Sequence, residues 1–225
     1  MSDSTSLAPV GTDVREIEWQ LATDDLAAVR LRLDRHPTLA GMQVLALPPQ
    51  QLRDTYWDTT DWRVWRAGFA LRVRERSDGT EGTLKSLRSA RADRAARREI
   101  TESLEHGIAS LANARGPVGT LVREAAGTAV LQVLFVVETR RQRYGVRQPG
   151  DSADAGEIAL DESEFHAAGG AHLRRLLRVE VEAFGPPLEP LERLVEVLSR
   201  QCGLTPARLN KFAVGLAAGG WSPPG

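Results

Sequence analysis

Cysteine is almost missing from this sequence: Cys202 stands alone among 225 residues. That excludes an internal disulfide framework and any thiolate metal cluster, and Cys202 reads as a small buried residue of a C-terminal helix. No run of about 18 apolar residues occurs, so no transmembrane helix and no membrane partner are expected. The opening MSDSTSLAPVGTD has neither a basic nor an apolar stretch of the kind a signal peptide needs, which points to the cytoplasm. Neither charge is in excess: Lys plus Arg number 29 and Asp plus Glu 30, for a net charge of -1. A general nucleic-acid binder would carry a basic surplus, so no nucleic-acid partner is expected. His36, His106, His166 and His172 lack HxxxH or HExxH spacing, which argues against zinc. No Ser-His-Asp or Cys-His arrangement stands out as a nucleophile. Gly79 and Gly82 form no phosphate loop and read as turn residues.

What is present is a strand-rich pattern with a few helices. Apolar residues make up 42% of the chain, enough for a packed core. Arginine far outnumbers lysine, read here as a composition bias. Strands are expected at Val14–Ala22, Gln51–Trp57, Phe69–Arg76, Gly82–Leu87, Arg97–Leu104, Leu131–Val146, Glu157–Asp161 and Leu176–Phe184. A helix is expected from Thr23, as its cap, to His36 before Pro37, and another over Glu189–Cys202. Residues 88–96 read as a solvated arginine-rich connection, and 106–128 as helical or irregular. The pattern predicts one α+β domain.

The strands carry the chemistry. Side chains at i and i+2 share a face. Glu16, Glu18 and Gln20 therefore oppose Ile17, Trp19 and Leu21, while Arg72, Arg74 and Arg76 oppose Leu71 and Val73. Arg178, Glu180 and Glu182 oppose Val179 and Val181. For any one strand, a half-solvated sheet explains such a face. Together, two acid pairs and an arginine ladder suit another purpose. Carboxylate oxygens are the ligands Mg²⁺ prefers, and arginine forks with Lys85 hold polyanions. Phosphate chemistry needs chiefly such positioning and charge neutralisation. Trp57, Trp62 and Trp65 could stack an organic ring or cover a barrel end.

On these residues the sequence resembles the CYTH superfamily, or triphosphate tunnel metalloenzymes. EIEWQ (Glu16 to Gln20) is similar to its ExExK strand. DTYWDTTDWRVWRAGFALRVR, from Asp54 to Arg74, is similar to YYDTPDxxLxxxGxALRxR. GTLKSL resembles LTLK, RREITESL resembles RxExE, VEVEAFG stands for ELELK, and NKFAVGL resembles SKxKYxxGL. The resemblance implies an eight-stranded antiparallel β-barrel, a tunnel open at both ends with flanking helices. It would span residues 13–217, between flexible ends at 1–12 and 218–225. It implies Mg²⁺ or Mn²⁺ held by Glu16, Glu18, Asp161, Glu180 and Glu182, with Glu180 and Glu182 catalytic. It implies triphosphate binding by Arg72, Arg74, Lys85, Arg98, Arg140 and Lys211. The expected activity is metal-dependent hydrolysis of inorganic or small organic triphosphate. Non-catalytic binding of triphosphate or polyphosphate, or an adenylate cyclase, are the alternatives. Gln20, Glu138 and Leu209 stand where the family places basic residues, which thins the expected cation set.

Overall fold

Two-residue alternation carries most of the chain into long antiparallel strands that close on themselves. The computed structural model describes residues 11–87, 95–105, 111 and 114–224. In chain order the elements are β1 (Thr12–Ala22), α1 (Leu26–Arg35), β2 (Thr38–Leu39), β3 (Met42–Thr59), α2 (Arg63–Arg66), β4 (Phe69–Arg76), β5 (Gly79–Ser86) and β6 (Ala95–Ser103). They continue with α3 (Pro117–Ala126), β7 (Leu131–Arg147), β8 (Gly156–Ala167), β9 (His172–Ala183), α4 (Glu189–Cys202), β10 (Thr205–Pro206) and α5 (Lys211–Gly219). Residues 88–94, 106–110 and 112–113, parts of two segments discussed above, lie outside the described residues, as does His106.

The strands run in the order β1-β6-β5-β4-β3-β7-β8-β9 and return to β1, forming a closed eight-stranded antiparallel barrel. Closure works because β1 is shared. Its Thr12–Glu18 stretch pairs with β6, and its Ile17–Ala22 stretch pairs with β9. The short β2 and β10 extend β3 and β1.

Local chemistry sets the element ends. Asp25, not Thr23, caps α1: its Oδ1 accepts from the Ala28 amide at 2.9 Å, whereas Thr23, two residues earlier, accepts from the Asp25 amide at 3.1 Å. The expected Glu189–Cys202 helix is present as α4, and Gly203 ends it in the left-handed conformation, at φ +66°. β3 runs much further than Gln51–Trp57, because Pro48 and Pro49 do not end it. A register shift between Leu47 and Gln50 against β7 absorbs their missing N–H groups. Gly79 opens β5, whereas Gly82 is a strand residue whose missing side chain leaves room for Leu104.

Three apolar clusters organise the rest. Trp19, Leu21, Tyr144, Ile158, Val179 and Val181 on the outer wall pack beneath Val29 and Leu33 of α1 and Leu191, Leu194 and Leu198 of α4. Leu71, Val73, Leu84 and Ile100 pack beneath Val118 and Val122 of α3. The third cluster lies inside the barrel. Tyr56, Phe135, Val137 and Phe165 share the inner face, and Phe212, Val214 and Leu216 of α5 pack onto them. Phe212 lies 5.5 Å from Tyr56 and 6.0 Å from Phe135, between ring centroids. Gly215 is required there: a Cβ would sit 2.2 Å from the Phe135 ring. The expected tunnel open at both ends is therefore a cup, with α5 as its floor. Trp65 and Trp62 back this floor and Trp57 packs against the α3 cluster, which is the covering role.

Candidate active site

Above this floor the inner faces of the strands enclose a cavity of about 350 Å³. Among the described residues eight cationic side chains line it: Arg72, Arg74 and Arg76 of β4, Lys85 of β5, Arg97 of β6, Arg141 and Arg143 of β7, and Lys211 of α5. Seven carboxylates face them: Glu16, Glu18, Glu81, Glu99, Glu157, Glu180 and Glu182. The sequence contains only two lysines, Lys85 and Lys211, and both are here. In a chain that otherwise uses arginine, that restriction is a signal composition alone could have supplied.

The cations are held in place by acids beneath and beside them. Arg74 grips Asp54 through two bonds of 2.6 and 2.7 Å. Burial opposes ionisation of Asp54, but Arg74 and Arg72 outweigh it and hold the carboxyl far below the usual range. Arg72 reaches Thr83 at 3.3 Å and lies 3.6 Å from Glu99, while among the described residues its buried Nε has no acceptor. Lys85 bridges Glu16 at 2.9 Å and Glu99 at 2.7 Å. Burial and the neighbouring Glu18 push Glu16 upward despite Lys85. Against the same burial penalty, Lys85 and Arg72 hold Glu99 down.

At the floor, Asn210 caps α5 through the Ala213 amide, so that Lys211 opens the helix inside the barrel. Lys211 pairs with Asp161 and, at 3.2 Å, with Glu180. Arg141 bonds both oxygens of Asp161 at 2.7 Å and one of Glu180 at 2.7 Å. Burial works against ionisation of Glu180, yet Lys211 and Arg141 hold its pKa low. Asp161 is fully buried behind these cations.

The opposite wall is different. Glu18, Glu182 and Glu157 occupy directly paired positions on β1, β9 and β8. Like charges in facing positions repel. Arg143 neutralises Glu157 at 2.9 Å, but among the described residues no cation comes within 4.0 Å of Glu18 or Glu182. Burial, followed by Glu18, Glu99 and Glu157, raises the pKa of Glu182 against the pull of Lys85.

The structure thus brings together Glu16, Glu18, Arg72, Arg74, Lys85, Glu180, Glu182 and Lys211, with Asp161 behind them. Arg98 and Arg140 are elsewhere. Both point outward, to Asp13 at 2.8 Å and Glu162 at 3.0 Å, and their neighbours Arg97 and Arg141 face the cavity. A slip of one residue moves a side chain to the other face. For β6 the signal was available, since Arg98 shares the face of the buried Ile100. For β7 it was weaker, because Val136 and Val137 make both faces apolar. Glu138 and Leu209 are also exposed, so neither removes a cation from the cavity, and Gln20 is the one departure that lines it. Glu99, Glu157 and Arg143 were missed as well. His166 and His172 lie near the end of β8 and start of β9, with His172 on Glu164 at 2.7 Å. Among the described residues no helix is long and apolar enough to cross a membrane.

Comparison with known proteins matches this architecture. The CYTH domain family profile covers residues 15–213. A candidate adenylyl cyclase from Hippeastrum, reported to have a dominant triphosphatase activity, superposes with a TM-score of 0.64 at 20% identity, covering 93% of this chain and 98% of that one. A candidate adenylate cyclase from Bacillus halodurans superposes at 0.60 and 20% identity, covering 89% and 96%. The PH1819 protein of Pyrococcus horikoshii gives 0.54 at 15%, covering 90% and 98%. At these identities the likeness is one of fold. No curated protein matches the sequence. With the profile spanning nearly the whole barrel and α5 start, the chain belongs to the CYTH domain family.

Proposed function

We propose that the chain is a divalent-metal-dependent triphosphatase acting on inorganic triphosphate or a small organic triphosphate. The observation that carries this reading is the polarity of the cavity. Among the described residues, one wall holds a buried arginine whose Nε has no acceptor, and the other holds two carboxylates with no cation within 4.0 Å. Eight cations against seven carboxylates leave little net charge to hold a polyanion. A divalent ion on the acidic wall would offset that wall and free the basic one.

Among the described residues no three acids converge tightly enough to hold an ion as they stand. The donor set nevertheless suits Mg²⁺ or Mn²⁺: hard oxygens on adjacent strands, without histidine or thiolate competitors. Glu18 and Glu182 would hold the ion, joined by Glu16 once it leaves Lys85. Asp161 and Glu180, expected as ligands, are committed to Arg141 and Lys211 and would position those cations. When bound, the ion supplies Lewis-acid polarisation of a phosphate oxygen and of water. Arg72, Arg141, Lys85 and Lys211 would orient the phosphates and balance charge as the leaving group departs. Beside the ion, Glu182, which among the described residues has no cation within 4.0 Å, would orient an attacking water.

Phosphate release from tripolyphosphate, thiamine triphosphate and ATP under Mg²⁺ and Mn²⁺ tests the proposal, with Glu16→Ala/Glu18→Ala as control. Release well above the control supports it. No release from any substrate removes the hydrolase, and cyclic AMP from ATP would establish the cyclase instead.

A further inference from the structure

Arg178 is an anomaly among the inner arginines. It is 3% exposed, yet among the described residues no carboxylate lies within 4.0 Å of it, and its Nε has no acceptor. Its one hydrogen bond among the described residues runs from Nη1 to Oε1 of Gln20, at 3.0 Å. The reach follows from the register: Gln20 pairs with Glu180, so Arg178 lies diagonally across from it on the same face. Gln20 in turn donates from Nε2 to Glu18 Oε1 at 2.7 Å.

These two bonds determine the amide's orientation. A guanidinium only donates and an ionised carboxylate only accepts. The reversed amide would set NH₂ against Arg178 and C=O against Glu18. Gln20 lines the cavity, and its second N–H is unused by either bond. A buried, unpaired charge is costly, and burial pushes the Arg178 pKa down. More distant Glu180, Glu18 and Asp161 attract it, while Arg97 repels it. An isolated structural role gives no reason to keep such a charge.

We propose that Arg178 is a positioning residue that lends its charge, through Gln20, to the cavity floor. It fixes the Gln20 amide so that one N–H steadies Glu18 and the other meets a phosphate of the bound polyanion. Gln20 and Arg178 together then do what a basic side chain at position 20 would do alone. The claim rests on the triphosphate reading for its ligand, but not for the coupling between the two residues.

Tripolyphosphate titration by calorimetry, with and without Mg²⁺, and thermal melts of wild type, Arg178→Met, Gln20→Lys and the double variant test it. Arg178→Met should bind about tenfold more weakly, the loss expected for ~1.4 kcal/mol, with no fall in melting temperature. Gln20→Lys should melt lower, because it sets an ammonium against the guanidinium and removes its acceptor. The double variant should regain both stability and affinity, to within about twofold of wild type. Unchanged binding by Arg178→Met, or additive melting shifts, would overturn the proposal. Should Arg178→Met not fold, Arg178→Lys decides: it keeps the charge and should bind within about threefold of wild type, and a larger loss refutes the claim. If wild type binds no tripolyphosphate with Mg²⁺ present, the triphosphate reading falls, and the melts alone judge the coupling: additivity refutes it and non-additivity upholds it.

Discussion

Replacing Arg141 with methionine, beside the same replacement at Arg140, separates the inner wall of the barrel from the outer one. Arg141 makes three bonds of 2.7 Å to Asp161 and Glu180. Without it, two buried carboxylates share Lys211 alone. Breaking a buried pair costs about 3–5 kcal/mol, and the retained Lys211 places this case near ~3 kcal/mol. At ~2–4 °C per kcal/mol for a chain of this size, the melting temperature should fall by ~6–12 °C. Arg140 is 65% exposed and its partner Glu162 keeps Arg175, so its pair contributes about 0–1 kcal/mol. Circular-dichroism melts measure both, and tripolyphosphate titration should show weakened binding for Arg141→Met alone. Equal melting shifts for the two variants, or a larger one for Arg140→Met, would refute the assignment of faces.

Asp54→Asn should flatten the acid limb of the stability curve. The folded pKa of Asp54 lies below its unfolded value, so its contribution is complete above ~4 and lost as pH falls toward the folded pKa. Urea unfolding between about pH 5 and 2 should show the wild type losing stability more steeply than the variant. Gly215→Ala should destabilise by about 1–3 kcal/mol, since its methyl meets the Phe135 ring, and a melt equal to wild type would contradict the packing of α5. Glu138→Lys and Leu209→Lys should leave tripolyphosphate affinity within about twofold of wild type, because both residues are exposed outside the cavity.

Much of the barrel was legible because strand periodicity and outward apolar packing agree. Leu71 and Val73 go under α3, which obliges Arg72 and Arg74 to face inward. The same logic set Glu16 and Glu18 against Trp19. Reading failed where periodicity lost its anchor. In β7, apolar residues on both faces reflect two different cores, the outer helices and the α5 plug, so Arg140 and Arg141 could not be told apart locally. α5 itself was not anticipated. KFAVGLAAG is short and rich in glycine and alanine, and its helix gains stability from packing on Phe135 and Tyr56, contacts distant in sequence. The commitment of Asp161 and Glu180 to Arg141 and Lys211 was hidden for the same reason. It depends on three strands and a helix meeting at one floor.

The most direct test of the central claim is a crystal structure with Mn²⁺ and tripolyphosphate, located by anomalous scattering. The account predicts manganese at coordination distance from Glu18 and Glu182, and phosphates against Arg72, Arg141 and Lys211 above the α5 floor. Manganese seated on Asp161, or tripolyphosphate bound outside the barrel with the cavity filled by water, would contradict it.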